Sequence, residues 1–148
     1  MDGSGVTPMR KPDPGNRKEK PEVNAKRYDF RRRTKDVALR TIRLVGALPK
    51  KQAAFVIGNQ LLRSAMSVGA NHRAAKRARS AAEFAAKMGI VEEELDECLY
   101  WMELLIESGM VSADRLRPLM HEVNELLAIT VASIRTTKAK GQKRPGRR

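Results

Sequence analysis

Apolar residues recur at helical spacing through four segments of the chain. In residues 29–48, Phe30, Val37, Thr41, Leu44 and Leu48 fall on one side, the pattern of a helix with one face in a core. Pro49 closes this segment: the residue before a proline is pushed out of the α region, and proline itself suits the first turn of a following helix. Residues 50–79 carry the stripe Ile57, Leu61, Ala65, Val68 and His72, with Gly58 and Gly69 inside it. Each glycine costs up to about 1 kcal/mol relative to alanine within a helix, so the pair suggests a close helix approach or a local bend. Ser80 followed by Glu83 forms a capping box and marks a third helix over 80–108. There Phe84, Met88, Val91, Leu95, Cys98, Met102 and Leu105 alternate spacings of four and three, a sustained heptad seam. Leu99 and Ile106 widen it to the face a bundle needs. Ser108-Gly109 supplies a stop. The fourth segment begins near Ser112, or nearer Leu116 because Pro118 lies late for a first turn, and presents Leu116, Leu119, Val123, Leu126, Thr130 and Ile134.

Four amphipathic helices with short connections and no strand pattern predict an all-α, antiparallel up-and-down four-helix bundle. The bundle is expected over residues 28–137. Residues 1–27, rich in Gly, Pro and charge, lack the apolar area to offset their conformational entropy and predict a disordered N-terminal tail. Residues 138–148 predict a disordered basic tail of the same kind.

Composition sharpens this picture. Hydrophobic residues make up 41% of the 148 but aromatics only 4%, so the core must be aliphatic. The formal charge of +13 invites a polyanionic partner, and it is unevenly placed. Between Val37 and Ala82 nine bases meet no acid, between Glu83 and Glu125 eleven acids meet three bases, and from Arg135 onward seven bases meet no acid. The lone cysteine, Cys98, cannot form an intrachain disulfide, which fits a reducing compartment. No run approaches the ~18 apolar residues of a membrane span, and the N-terminus lacks a secretory apolar region. A cytoplasmic protein without membrane attachment is expected.

The basic groups divide into two sets. Arg73, Lys76 and Arg77 share one helix face, with Arg79 beside them. Arginines there can bind phosphates bidentately; equally, they can neutralise Glu92, Glu93, Glu94, Asp96 and Glu97 of the third helix. The tail bases Lys138, Lys140, Lys143 and Arg144 have no acids nearby in sequence and suit non-specific nucleic-acid attraction, although no tail aromatic is available for base stacking. Gln60, Ser64, Ser67 and Asn71 form a polar stripe bordering the apolar one, best explained by hydrogen bonds within the bundle or between subunits. Tyr100 and Trp101 suit an intersubunit anchor.

Nothing points to catalysis. A di-metal bundle needs Glu-x-x-His motifs, but His121 follows Pro118 and His72 follows Gly69 at that spacing. Cys98 sits on the seam as a small hydrophobe. Neither a phosphate-binding Gly loop nor a zinc spacing is present, and no cofactor is expected.

The features Gln60, Arg63-Ser64-Ala65, Ser67, Ala70-Asn71, Arg77, Ser80, Glu83-Phe84 and an acidic third helix carrying Trp101 resemble the bacterial proteins encoded in intervening sequences of 23S ribosomal RNA genes. The resemblance covers about residues 28–138. It implies an intracellular four-helix bundle assembled as a ring-like homopentamer. It also implies kinship with accessory variability proteins of diversity-generating retroelements, which pair with a reverse transcriptase and bind nucleic acid. Many members follow the asparagine with an acid-glycine pair; here His72-Arg73-Ala74-Ala75 makes the second helix more basic. The resulting expectation is a non-enzymatic homo-oligomer that binds RNA or DNA through Arg63, Arg73, Lys76, Arg77, Arg79, Lys138, Lys140, Lys143 and Arg144. The alternative is a protein-interaction scaffold or an accessory subunit, for example of a reverse transcriptase.

Overall fold

A computed structural model of the chain describes residues 21–142, with side chains from residue 30 onward. Four α-helices follow one another: α1 (Pro21–Gly46), α2 (Gln52–Lys76), α3 (Ala81–Glu107) and α4 (Ala113–Gln142). Each packs on its neighbours in sequence, and α1 closes the ring against α4 through the slightest contact of the four. This is the expected up-and-down arrangement, with no strand among the described residues.

The core forms where the four apolar stripes meet. The α3 seam lies at its centre, with Met88, Val91, Leu95, Cys98, Met102 and Leu105 all buried. Leu61, Ala65 and Val68 face it from α2, Leu116, Leu119, Val123 and Leu126 from α4, and Val37 and Leu44 from α1. Phe84, at the start of the seam, is only partly buried. Three threonines share this interior at no polar cost. Thr41 Oγ1 donates to the Val37 carbonyl and Thr130 Oγ1 to the Leu126 carbonyl, each at 2.8 Å, while Thr34 Oγ1 donates to the Arg31 carbonyl at 3.0 Å.

The helix ends follow their local chemistry. Ser80 Oγ accepts from the Glu83 N–H at 3.0 Å. The Glu83 carboxylate reaches back one residue further than in a standard capping box, to the Arg79 N–H at 2.8 Å. Gly109, with φ of +75°, ends α3 in the left-handed conformation that glycine adopts freely. Ser112 Oγ accepts from the Arg115 N–H at 3.3 Å, so α4 starts at Ala113 and holds Pro118 in its interior. The proline removes the N–H that would reach the Asp114 carbonyl, and Asp114 is exposed, where water can serve that oxygen.

Two boundaries differ from the expected ones. Helix α1 begins at Pro21 rather than near residue 28, and α4 continues to Gln142, past residue 137. Pro21 is well placed at a first helical position, and the dense glycines and prolines lie before it. The last turns of α4 run beside an alanine-lined stretch of α3, where Thr137, Lys138 and Gly141 share a cleft with Ala81, Ala82, Ala85 and Ala86. Small side chains there admit the extra helix, so the start of the expected basic tail is helical. Residues 1–20 and 143–148, including Lys143 and Arg144, lie outside the described residues.

The two glycines of α2 play different parts. A Cβ at Gly58 would lie 2.9 Å from Leu48 Cδ1 and 3.2 Å from Val45 Cγ1, whereas one at Gly69 would meet Thr34 at ordinary contact distance, 3.7 Å from Oγ1. Gly58 therefore marks a close approach of α1 and its following turn to α2. Gly58→Val is expected to destabilise the protein by roughly 1–3 kcal/mol through overpacking. Gly69→Ala is expected to be neutral or to stabilise by up to about 1 kcal/mol; urea denaturation of the two variants checks the contrast.

Candidate nucleic-acid interface

The antiparallel order brings four helix ends to one pole: the Phe30 region of α1, the end of α2, the start of α3 and the end of α4. The two basic segments, separated by the acidic third of the sequence, thereby become neighbours. Lys76 of α2 and Lys140 of α4 line one cavity, and Lys138 borders the first turns of α3. Arg73, Arg77 and Arg79 are exposed on α2 and the turn after it. The Arg77 N–H closes α2 on the Ala74 carbonyl at 3.1 Å, and the capped start of α3 holds the Arg79 backbone.

No ion pair joins Arg73, Arg77 or Arg79 to a described acid. Arg63 stands apart from them. It donates to Gln60 Oε1 at 3.2 Å and to Glu97 Oε2 at 3.3 Å, and the same Glu97 oxygen accepts from the buried Ser64 hydroxyl at 2.9 Å. Arg63 thus belongs to the α2–α3 seam rather than to the basic pole. Ser64 and Asn71, whose Nδ2 donates to the Ser67 carbonyl at 2.9 Å, satisfy the polar stripe inside the bundle.

The cavity between the helix ends has a volume of about 630 Å³. All four helices contribute to it: Phe30, His72, Lys76, Phe84, Met88 and Ile129 form much of the wall. The rings of Phe30 and His72 lie 4.6 Å apart at a tilt of 52°. His72 is 4% exposed, and its Nδ1 is buried without a hydrogen-bond partner. Desolvation, with Lys76 and Arg31 nearby, lowers its pKa to about 4, so the imidazole is neutral at pH 7. A smaller cleft of about 220 Å³ between α1 and α4 is lined by Arg40, Arg43 and Arg115. It escaped sequence reasoning because these arginines come from distant segments. So did the clasp of Arg33 on α4. Its Nε donates to Glu122 Oε1 at 2.9 Å, its Nη2 also contacts Glu122, and Nη2 lies 2.6 Å from Glu125 Oε2.

Other chemistry finds no support among the described residues. No group of three or more His, Cys, Asp or Glu side chains is placed to hold a metal ion. Burial, with Glu94 and Glu97 nearby, pushes the Cys98 thiol up to about 12, far from a reactive thiolate at neutral pH. No described helix is long and apolar enough to cross a membrane.

The fold defines a small all-α protein of four sequentially packed helices. The chain belongs to the 23S rRNA-intervening sequence protein family, whose model matches residues 26–132. It is similar to a crystal structure of a protein with unknown function from the S23 ribosomal protein family of Bacteroides thetaiotaomicron. The two share 31% identity with a TM-score of 0.67, over 71% of this chain and 97% of that one. Among curated proteins none matches the chain.

Two measurements follow from the buried groups. Because the folded-state pKa of His72 lies below its unfolded value of about 6.5, the unfolded chain takes up this proton first as pH falls. The stability associated with neutral His72 is thus intact above about pH 6.5 and is lost progressively toward pH 4. Urea midpoints across that range are expected to fall in the wild type and to flatten in His72→Leu. The Cys98 thiol is expected to resist a colorimetric thiol reagent in the native protein at neutral pH and to react fully in denaturant; fast native labelling would contradict its buried, protonated state.

Proposed function

We propose that this protein is a non-enzymatic, cytoplasmic homo-oligomer that binds nucleic acid through the basic pole of its bundle. The observation that carries the reading is the meeting of α2 and α4 bases at one end, Lys76 and Lys140 on one cavity, with Arg73, Arg77 and Arg79 facing solvent beside them. Phosphates are the ligand such a cluster suits, because exposed arginines with no ion pair among the described residues have donors to offer. The membership in a family described by 23S rRNA intervening sequences supports an RNA setting.

Self-association is favoured by a separate observation. Leu39 and Ile42 on α1 and Phe55, Val56 and Met66 on α2 are exposed, Phe55 at 69%. Large apolar side chains turned outward on adjacent helices suit burial against another copy. The occupant proposed is a second copy of this chain, in the ring of five that the family resemblance implies. The scaffold reading, in which this assembly receives a reverse transcriptase or another protein and contacts no nucleic acid, rests on the same face.

A salt titration of binding to labelled RNA separates the two. The wild type is expected to lose affinity steeply as salt rises. Arg73→Gln combined with Arg77→Gln and Lys140→Gln should lower low-salt affinity at least tenfold and flatten the salt slope by about 0.7–0.9 per lost phosphate contact. Arg63→Gln, at the α2–α3 seam, should change binding far less. Absence of binding at low salt, or affinity indifferent to salt, would overturn the nucleic-acid reading. Light scattering on the same preparations reports the assembly, and a strict monomer at micromolar concentration would reject the oligomer.

A further inference from the structure

The cavity beneath the basic pole has a composition that phosphate binding alone does not explain. Its cations, Lys76 and Lys140, come from the outer ends of α2 and α4, whereas Phe84, Met88 and Ile129 supply apolar surface. A site for phosphate oxygens alone needs donors throughout and gains nothing from aromatic and thioether walls. At about 630 Å³ the space falls within the range of small-molecule sites and has room for one nucleotide. His72 adds unmet polar capacity behind the wall, since its Nδ1 is buried without a partner. On the opposite side Thr136 and Thr137 commit their hydroxyl protons to the Ala132 and Ser133 carbonyls, which leaves oxygen lone pairs as acceptors. Being neutral at pH 7, the imidazole adds no further positive charge to this interior.

We infer that this cavity receives an unpaired base of a single-stranded nucleic acid, seated against Phe84 and Met88, while the lysines at its edge hold the adjoining phosphates. The inference rests on the nucleic-acid reading of the basic pole and deepens it from a sequence-blind attraction for phosphate to a preference for unstacked nucleotides. Single strands are recognised by proteins that combine a cationic track with aromatic or apolar platforms for bases. The C-terminal basic segment has no aromatic of its own. The fold supplies one from α3, and Phe30 from α1, beside the lysines of α2 and α4. A base-paired duplex cannot offer a base to such a recess without breaking a pair.

The full-length protein is titrated at low salt with two short RNA strands of equal length and equal phosphate number, one oligoadenylate and one abasic. The wild type is expected to bind the base-bearing strand about tenfold more tightly than the abasic one. Ser133→Trp, which fills the cavity from a half-buried position on α4, should remove that preference and leave abasic affinity unchanged. Equal wild-type affinity for the two strands overturns the base-binding inference while leaving the basic pole intact as a phosphate site. No binding to either strand overturns the underlying reading and this one with it. A Ser133→Trp protein with unaltered helical circular dichroism that keeps the preference also overturns the inference. Cross-linking of the wild type needs no variant. A strand carrying a photoreactive thiouracil is expected to label the α3 peptide bearing Phe84 and Met88 or the α4 peptide bearing Ile129, and labelling confined to other segments contradicts the cavity.

Discussion

Burial of the α3 seam is the interaction on which the molecule depends. From Met88 to Leu105 the seam residues are almost without solvent contact, and they receive apolar side chains from α2 on one side and α4 on the other. Each buried aliphatic or thioether side chain contributes about 1.5–3 kcal/mol, and α3 takes part in the two most extensive helix pairings, with α2 and with α4. Helix α1 lies on the less committed side of the ring. It meets α2 closely at Gly58 and is clasped to α4 by Arg33 on Glu122 and Glu125. The bundle is thus three helices packed around a seam and a fourth that adds Phe30, Val37 and Leu44 to the core, with a glycine contact at one edge and a charge contact at the other.

The same antiparallel packing decides where charge accumulates. Alternating helix direction puts the last turn of α2 and the last turns of α4 at one pole, although 62 residues separate Lys76 from Lys138 in sequence. Two acids of α3 have local work: Glu97 serves Ser64 and Arg63, and Glu83 serves the backbone at the cap. The gathering of bases at this pole is created by the core geometry without any local sequence motif. Its cations sit around a recess rather than on a flat surface, and that difference separates simple counterion exchange from recognition of a nucleotide.

Much of the fold was legible because it depends on periodicity. The α3 seam is written in alternating steps of four and three, Ser80 with Glu83 announces the cap, and Ser108-Gly109 announces the stop. Composition was a poorer guide to the ends. Lys138 and Lys140 suggested a tail, yet lysine is a good helix former, and the alanines at the start of α3 give the extra turns a surface to follow. Pro118 suggested a later start for α4, but the Ser112 cap holds the helix upstream of it. The basic residues themselves were legible; their convergence was not, because one-dimensional spacing carries no information on which helix ends meet. The cavity was hidden for the same reason. Phe30, His72 and Phe84 each look like ordinary stripe residues, and only the meeting of the four helices brings them to one cavity. Arg63 shows the converse: a base close to the others in sequence was turned by helical phase toward Glu97.

The central claim is that one pole of the bundle, and not its charge as a whole, meets the polyanion. Lysine-modification footprinting by mass spectrometry, with and without single-stranded RNA, tests it most directly. The account predicts protection of Lys76, Lys138 and Lys140, with Lys50 and Lys51 at the opposite pole modified equally in both states. Uniform protection at both poles, or protection of Lys50 and Lys51 alone, would contradict it.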